Sequence, residues 1–454
     1  MAEEYGLDPG TFEDILGREI KGMFVESNRV LGILERGKKQ IVTVKDGFGE
    51  KKFLVKIYNP SQEKYKLNIS PKEYIRYQFC NLKFWNEHGI PSPKVYKLYT
   101  QKDYETIIME YIPTPSHDLD IIAIDTIIQK LEEIEQDPFY SKEIKSQIPK
   151  TIKSFNNLKN KIINSALCTI VKLSSLTNYI YSPEKDIDNE VAKRIFKPTL
   201  EFYSNKFNYY LETYLKWYFI KKDLDFNDKK IAEAKKKFKE AINFLIAPLL
   251  EKKYWDYVQG DEYLHHFKFW KKEGEKKEKS YIFDADRSML GRIELSFAKL
   301  LLSYLLDLSY EEVHDKLKNA FEKYKREHKK DFDESYRTKC FDLVSLFELT
   351  TMLGKKANDE LNNKIYYEAY TREIIKYRNP FINLCEICQP INITYEDYKT
   401  GTAIMKISRK LSEFLDKLLE NKNPDYRFTN EELKSIDNLK KLCQEYKLTS
   451  LIVT

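Results

Sequence analysis

The first part of the chain alternates short apolar runs with turn signals. Residues 30–34, 40–44 and 53–58 are rich in apolar and β-branched side chains. Glycine-containing turns are predicted between these runs, at residues 36–39 and 47–49. Short runs of this kind, joined by tight turns, are typical of an antiparallel meander. The pattern therefore predicts three consecutive strands.

A helix and two more strands follow the meander. Residues 70–88 begin with Ser-Pro-Lys-Glu, in which Glu73 completes a capping box, and continue with apolar residues at helical spacing. The next apolar runs, at residues 94–98 and 106–112, are predicted to be strands, and Pro113 ends the second of them. The sequence thus predicts a small sheet with one helix inserted.

The remainder of the chain has mostly helical periodicity. The segments with this pattern are residues 120–137, 147–180, 186–220, 228–250 and 303–454, the last with a proline-containing break at 379–390. A Lys/Glu/Gly run at residues 271–279 indicates a hairpin tip. Gly is scarce, with 14 residues, which favours helices over a turn-rich β fold. We predict the α+β class, with a small antiparallel sheet and a large helical part.

Composition limits the classes of function. The chain has 454 residues, of which 42% are hydrophobic, so it can bury a sizeable core. Its 77 basic and 71 acidic residues give a net charge of only +6, so nucleic acid is not indicated as a partner. The longest apolar run, at residues 295–308, is too short and too charged to cross a membrane.

The cysteines and the N-terminal residues indicate a reducing compartment. Six Cys are scattered along the chain, apart from the lone pair Cys385 and Cys388, which we interpret as structural thiols. The chain opens without the features of a secretory leader. We therefore expect a soluble, cytoplasmic protein.

Two short segments carry the residues best suited to chemistry. Residues 258–267 hold Asp261 in a loop that directly precedes a predicted hairpin. Residues 281–287 hold Asp284 at the far end of the same hairpin, followed closely by Asp286. A hairpin of this kind would bring a loop carboxylate and a second carboxylate to one end of the fold.

This arrangement resembles the catalytic hairpin of the aminoglycoside phosphotransferase and choline kinase families. Their pattern is His-Gly-Asp, then Asn, a strand, a turn, and a second Asp before a helix. Asp261 falls on the loop Asp of that pattern and Asp284 on its metal-binding Asp. Gln259 stands where the families have His, and His266 stands where they have Asn.

The N-terminal segment is similar to the same families. Lys56 matches the lysine of the third strand of the kinase fold, and Glu73 on the next helix matches its ion-pair partner. Residues 89–95 read Gly-Ile-Pro-Ser-Pro-Lys-Val, as the junction after that helix often does in these families. Residues 108–113 resemble the hinge that holds adenine. The similarity covers residues 28–113 and 254–305, in the same order as in the families.

The resemblance implies a two-lobed, protein kinase-like fold in four parts. These are a lead-in over residues 1–22, a sheet lobe over 23–113, a helical lobe over 114–310 with an insertion at about 115–250, and a helical extension over 311–454.

It also implies a kinase that transfers the γ-phosphate of ATP to a hydroxyl of a small molecule, with Mg²⁺ or, alternatively, Mn²⁺. Asp261 would serve as the base. Asp284 would be the metal ligand, with His266 and Asp286 as further candidates. Lys56 and Glu73 would hold the phosphates, and the backbone of Glu110, Tyr111 and Ile112 would hold adenine.

Each of these residues also has a simpler interpretation. Lys56 could lie on a solvated strand face, Glu73 could only cap its helix, and Asp261 could only shape a turn. Asp284 and Asp286 could cap the following helix. Two other functions therefore stay open. One is a pseudokinase that serves as a nucleotide-binding or protein-interaction scaffold, motivated by His266, and the other is a helical nucleic-acid-binding protein. The identity of the acceptor and the oligomeric state are not encoded in any pattern we identified.

Overall fold

A computed structural model of the chain describes most of the first 361 residues. The described residues are 8–26, 37–58, 71–100, 105–114, 116–138, 142–180, 190–221, 229 and 246–361, apart from 273, 304, 307 and 329–331. The predicted strand at residues 30–34, the Cys385–Cys388 pair and the helical segment beyond residue 361 lie outside these ranges.

The N-terminal part forms one antiparallel sheet of five strands in the order β1-β2-β3-β5-β4. The strands are β1 (Gly22–Glu26), β2 (Gly37–Asp46), β3 (Gly49–Tyr58), β4 (Val95–Thr100) and β5 (Glu105–Glu110). The predicted strands at 40–44, 53–58, 94–98 and 106–112 are confirmed, although β5 ends at Glu110. The turn predicted at residues 36–39 is wrong for Gly37–Lys39, because β2 pairs with β3 back to Gly37.

Strand alternation decides what each face of the sheet contacts. Val55 and Ile57 of β3 point to one face, where they pack with Phe12 of α1 (Pro9–Leu16). Lys56 and Tyr58 alternate with them and therefore point to the opposite face, toward α2 (Pro71–Glu87) and the helical part. Helix α1 lies within the segment predicted as a lead-in, and its role is to cover the outer face of the sheet.

The rest of the described chain is helical, with two short β pairs. The helices are α3 (His117–Gln136), α4 (Lys142–Ser174), α5 (Thr177–Ile180), α6 (Glu190–Arg194), α7 (Leu200–Lys221), α8 (Ile293–Leu301), α9 (Tyr310–His328) and α10 (Glu334–Leu361). Strands β6 (Asp256–Val258) and β9 (Met289–Gly291) pair with each other, and β7 (Phe267–Trp270) forms a hairpin with β8 (Lys279–Ile282). The predicted α+β class, with a sheet lobe and a helical lobe, is confirmed. The boundaries of the four predicted parts stay predictions.

One large core joins the two lobes. It runs from Trp85 of α2 through Ile170 of α4 and Tyr257 of β6 to Phe297 of α8 and Phe347 of α10. Among the described residues, no helix combines the length and apolar character needed to cross a bilayer. The sheet lobe and the helical lobe are thus held by a shared apolar interior.

Helices α7 and α10 pack closely at Gly354. A Cβ atom built on Gly354 would lie 2.4 Å from the backbone oxygen of Tyr210 and 2.7 Å from its Cα. Real Cβ contacts are not this short, and backbone atoms cannot rotate away as a side chain can. Gly354 therefore sets how closely the two helices approach.

We expect Gly354→Ala to lower the free energy of unfolding by about 1–3 kcal/mol or more, because α7 and α10 must move apart. Gly10→Ala is the matched control, since Gly10 is exposed in α1 and its Cβ would meet only Asp8 Oδ1 at 3.4 Å. It should be neutral or slightly stabilising through helix propensity. Urea unfolding of both variants measures the difference; equal effects would contradict the assigned role of Gly354.

Candidate active site

An ion pair between the two lobes lies at the centre of the candidate site. Lys56 Nζ of β3 donates to Asp284 Oδ1, just after β8, at 2.7 Å. The Lys56 side chain is 5% exposed and that of Asp284 is 27% exposed, so the lysine is buried while the carboxylate borders solvent. Two residues selected from separate motifs, 228 positions apart in the chain, are therefore in direct contact.

Asp284 adopts a backbone conformation that is uncommon outside glycine. Its φ of 70° and ψ of 61° lie in the left-handed region, which Asp tolerates better than most residues but adopts only occasionally. Gln78 Nε2 of α2 also donates to Asp284 Oδ1, at 2.8 Å, and Tyr58 hydroxyl donates to Gln78 Oε1 at 2.8 Å. Strain of this kind persists where surrounding contacts determine it, and it clusters at functional sites.

Helix α2 is anchored on the segment that follows Asp284. Tyr77 hydroxyl donates to the backbone oxygen of Ser288, and Asn81 Nδ2 donates to that of Ala285 at 3.1 Å. Together with Gln78, these side chains join the helix to the segment at residues 284–288 through three hydrogen bonds. They fix the position of Asp284 relative to the sheet lobe.

Gln259 connects the two acidic segments. Its Nε2 donates to the backbone oxygen of Asp284 at 2.6 Å, and its Oε1 accepts from the backbone N–H of Asp261 at 2.8 Å. The amide is fully buried. Gln259 occupies the position where the kinase families named above have His. Its amide supports the loop with one donor and one acceptor.

The charges around Asp261 keep its carboxylate ionised. Burial by itself would raise the pKa of Asp261, but Arg287, Lys355 and His266 outweigh it, so the pKa lies well below the ordinary value of 3.8. Arg287 is the nearest cation, with NH1 at 2.9 Å from Asp261 Oδ2, and its side chain is 42% exposed. Asp261 is therefore a fixed negative charge rather than a strong proton acceptor.

His266 lies between the two carboxylates. Its Nδ1 is hydrogen-bonded to the backbone oxygen of Asp261, and its Nε2 is 3.7 Å from Asp284 Oδ2. His265 and His266 belong to a 3₁₀ turn over Leu264–His266, in which His265 is exposed and His266 is buried.

The described residues do not form a metal site by themselves. Among them, no group of three or more His, Cys, Asp or Glu side chains is arranged to hold an ion. Asp286 is buried on the turn after Asp284, beside Arg287. Mg²⁺ commonly takes one or two carboxylates and completes its shell with phosphates and waters. The donor set around Asp284 thus fits a metal that arrives with a phosphate ligand, and not a protein-only cage.

The predicted hinge is tied to the β7–β8 hairpin. Lys272 Nζ lies 2.6 Å from Glu110 Oε1, and Lys94 backbone N–H donates to Glu110 Oε2 at 3.1 Å. Lys268 Nζ donates to the backbone oxygen of Ile112 at 3.0 Å and lies 6.0 Å from the centre of the Tyr111 ring. The side chain of Glu110 is thus occupied, and its backbone N–H donates to the backbone oxygen of Lys94 at 2.8 Å.

Glu73 belongs to helix α2, but its side chain lies outside the described residues, so its predicted ion pair with Lys56 stays a prediction. The polar α2 side chain that reaches the Lys56–Asp284 pair is Gln78. A signal for Gln78 existed in the sequence. Gln78 and Asn81 lie three residues apart beside apolar Phe79 and Leu82, so two polar side chains fall on a helix face that should be buried.

Two buried carboxylates at the start of α3 were also missed. Asp118 and Asp120 are 4% and 6% exposed. Burial raises the pKa of Asp118, and burial together with Asp118 raises the pKa of Asp120 to about 8. His117 is fully buried, which lowers its pKa to about 3 and leaves it neutral. Near-neutral pH therefore falls inside the titration range of Asp120.

Comparison with known proteins gave structural matches only. No family model matches the chain, and no curated protein matches it. An ethanolamine kinase of Plasmodium vivax aligns over 80% of this chain and 83% of its own, with 11% identity and a TM-score of 0.37. An aminoglycoside phosphotransferase of Streptomyces rimosus, solved with ADP and streptomycin, aligns over 67% and 90%, with 10% identity and a TM-score of 0.34. An aminoglycoside-3'-phosphotransferase of type VIII aligns over 68% and 88%, with 11% identity and a TM-score of 0.33.

The structures to which the chain is similar are thus small-molecule phosphotransferases. At these TM-scores the matches establish neither an activity nor a set of site residues for this chain. The assignment of the site depends on the contacts of Lys56, Asp284, Gln259 and Asp261 described above.

We expect Gly260→Ala to disrupt the Asp261 loop. Gly260 has a φ of 85°, and a Cβ there would lie 2.2 Å from the backbone oxygen of Arg287. Gly89→Ala is the matched control, because Gly89 has a φ of 70° but open space around its Cβ. Backbone strain alone costs about 1–3 kcal/mol, so Gly89→Ala should lose about that much and Gly260→Ala clearly more. Chemical unfolding compares the two; similar losses would show that the contact with Arg287 is not restrictive.

We expect Asp120 to make a contribution to stability that falls as pH rises between about 4 and 8, opposed below about pH 6.5 by the buried neutral His117. Its pKa is about 8 in the folded protein and 3.8 in the reference state, so the folded state binds the extra proton throughout this window. Asp120→Asn should remove this part of the pH dependence, whereas Glu132→Gln, exposed on the same helix, should not. The measurement is the melting temperature of each variant across that pH range. An unchanged slope in Asp120→Asn would refute the assignment.

Proposed function

We propose that the protein is an ATP- and Mg²⁺-dependent phosphotransferase that acts on a hydroxyl group of a small molecule. The observation that carries this proposal is the 2.7 Å contact between Lys56 and Asp284, with the Asp261 loop joined to the same point through Gln259. Phosphoryl transfer needs a cation for the phosphates, a carboxylate for the metal and a group that orients the acceptor. These three groups lie together here.

Lys56 and Asp284 would share the nucleotide. Among the described residues, each is the nearest counter-ion of the other. When ATP binds, the Lys56 ammonium would contact the phosphates, and Asp284 would become the protein ligand of the metal. Mg²⁺, when bound with the nucleotide, neutralises charge on the β- and γ-phosphate oxygens. Gln78 and Gln259 would hold Asp284 during this exchange through its side chain and its backbone.

The other predicted ligands fit less well. An imidazole is a poor ligand for Mg²⁺, and His266 already uses Nδ1 to hold the Asp261 backbone. We therefore propose that His266 positions the loop. Adenine would bind at those backbone groups of Glu110, Tyr111 and Ile112 that Lys94 and Lys268 leave open.

Asp261 would orient the attacking hydroxyl. A bond forms between the acceptor oxygen and the γ-phosphorus, while the bond from that phosphorus to the β–γ bridging oxygen breaks, and ADP leaves with that electron pair. Because the pKa of Asp261 is held far below neutrality, the hydroxyl proton is passed on to the phosphoryl group or solvent and is not retained on the carboxylate. Asp261 thus contributes alignment and charge more than basicity.

A nucleotide-binding protein without catalysis is the second candidate. Two observations favour it: Asp261 is paired with Arg287 at 2.9 Å, and His266 stands where the resembling families have Asn. In that case the Lys56–Asp284 contact would still mark a nucleotide site. Binding and turnover separate the two functions.

We expect Mg²⁺–ATP to raise the melting temperature of the wild-type protein. ATP at about 100 times its dissociation constant should add about 2.7 kcal/mol. Lys56→Met and Asp284→Ala should lose this shift, because each removes one half of the phosphate–metal pair. Lys52→Met, exposed on the same strand, is the matched control and should retain it. Absence of a shift in the wild type at millimolar nucleotide would overturn the proposal.

We expect Asp261→Asn to bind Mg²⁺–ATP as the wild type does but to lose at least about 100-fold in turnover, since orientation of the hydroxyl is lost while the nucleotide contacts remain. The measurement is ADP release, first as slow ATP hydrolysis and then with acceptor compounds. If the wild type binds nucleotide and never releases ADP, the non-catalytic function is the correct one.

A further inference from the structure

Four cationic side chains lie close enough to Asp261 to interact with its charge. They are Lys206 of α7, Arg287 after β8, Lys299 of α8 and Lys355 of α10, and they are called the basic cluster below. Lys355, Lys299 and Arg287 each act on the carboxylate of Asp261, and Asp261 in turn acts on Lys206. Residues from four separate segments thus form one electrostatic group beside the candidate transfer site.

Two members of the cluster are fully engaged by the protein. Arg287 NH1 is 2.9 Å from Asp261 Oδ2. Lys299 donates to the backbone oxygen of Gly260, lies 3.8 Å from Glu262 Oε2 and is 3% exposed. These two cations support the loop that carries Asp261.

The other two members each lie over an aromatic ring. Lys355 Nζ lies 3.8 Å from the centre of the Tyr263 ring, and Lys206 Nζ lies 5.8 Å from that of Phe347. Within the described part of the chain, neither ammonium forms an ion pair or a hydrogen bond. Both side chains are half-buried, where an unpaired charge is costly.

The nearby carboxylates are engaged by other groups. Glu348 accepts from the Tyr263 hydroxyl at 2.5 Å, Glu262 is close to Lys299, and Asp261 is paired with Arg287. Burial lowers the pKa of Lys206 to about 7, and the neighbouring Glu348 opposes this effect. Among the described residues, Lys206 and Lys355 therefore have no ion-pair partner.

We propose that the acceptor carries a negatively charged group, a phosphate or a carboxylate, which binds between Lys206 and Lys355 while its hydroxyl lies at Asp261. This inference rests on the proposed phosphotransferase function and names the class of its acceptor. Cationic acceptors such as amino alcohols and aminoglycosides would meet like charge at this position. The transfer itself is the one given above, so the product would be a phosphate ester of an already anionic compound.

The first experiment measures anion binding at the cluster alone. Inorganic phosphate and acetate are titrated calorimetrically into the protein saturated with Mg²⁺ and a non-hydrolysable ATP analogue, which occupies Lys56. We expect phosphate or acetate to bind the wild type, and Lys206→Met and Lys355→Met each to weaken the tighter anion by at least about tenfold. Lys355→Arg, which keeps the positive charge, should bind the anion as the wild type does. Preference for phosphate assigns a phosphomonoester acceptor, and preference for acetate assigns a carboxylate.

The matched control is Lys216→Met, which removes an α7 lysine that is paired with Glu212 at 3.3 Å on the surface. It should bind both anions as the wild type does. Equal affinity in wild type and Lys355→Met, or no binding of either anion by the wild type at about 100 mM, overturns the inference. Removing an unpaired half-buried charge should not unfold the protein, and circular dichroism of each variant checks this.

Failure of the inference and failure of the proposed function give different results. If the analogue does not bind the wild type but an anion binds and depends on Lys206 and Lys355, the anion site stands and the phosphotransferase function falls. If nucleotide binds and ADP release is stimulated by amino alcohols and not by anionic hydroxyl compounds, the function stands and the inference about the acceptor is wrong.

Discussion

The contact between Lys56 and Asp284 is the constraint on which the arrangement of the site depends. Alternation along β3 turns Lys56 inward, and the left-handed backbone of Asp284 turns its carboxylate to meet it. Neither position is stable by itself, because a buried lysine needs a counter-charge and a strained aspartate needs fixed surroundings. Gln78 and Gln259 supply those surroundings from one lobe and the other. The geometry of the candidate site follows from holding Lys56 and Asp284 in contact.

Burial has opposite consequences for different carboxylates in this protein. Asp261 and Asp120 are both almost inaccessible to water, yet the pKa of the first is lowered and that of the second is raised to about 8. The difference is the presence of Arg287 and lysines beside Asp261, and of a second carboxylate, Asp118, beside Asp120. Neighbouring cations thus keep Asp261 charged against desolvation, whereas desolvation and a like charge keep Asp120 protonated.

The sequence predicted those parts of the fold and site whose information is local. The strand pattern around Lys56 and the hairpin between Asp261 and Asp284 were readable because alternation and turn residues occur within a few positions of each other. Strand β1 was missed because Gly22–Glu26 is short and is completed only by pairing with β2. Local patterns cannot show a strand that depends on its partner.

The parts that could not be predicted depend on contacts between distant segments. Lys206 and Lys355 are two among 77 basic residues and resemble solvated lysines on their helices. Their helices come together where Gly354 of α10 packs against Tyr210 of α7. Gln259 is a similar case, because an isolated glutamine is not part of a recognisable motif. Its role comes from its hydrogen bond to the backbone oxygen of Asp284, 25 residues away.

The β7–β8 hairpin is fastened on both sides. At one side Lys268 holds the carbonyl of Ile112, and at the other the backbone of Ser280 is held by Ser165 and Thr169 of α4. The hairpin therefore connects the long α4 helix to the segment that joins the two lobes. A displacement of α4 must therefore either break the hydrogen bonds at Ser280 or move the hairpin with it.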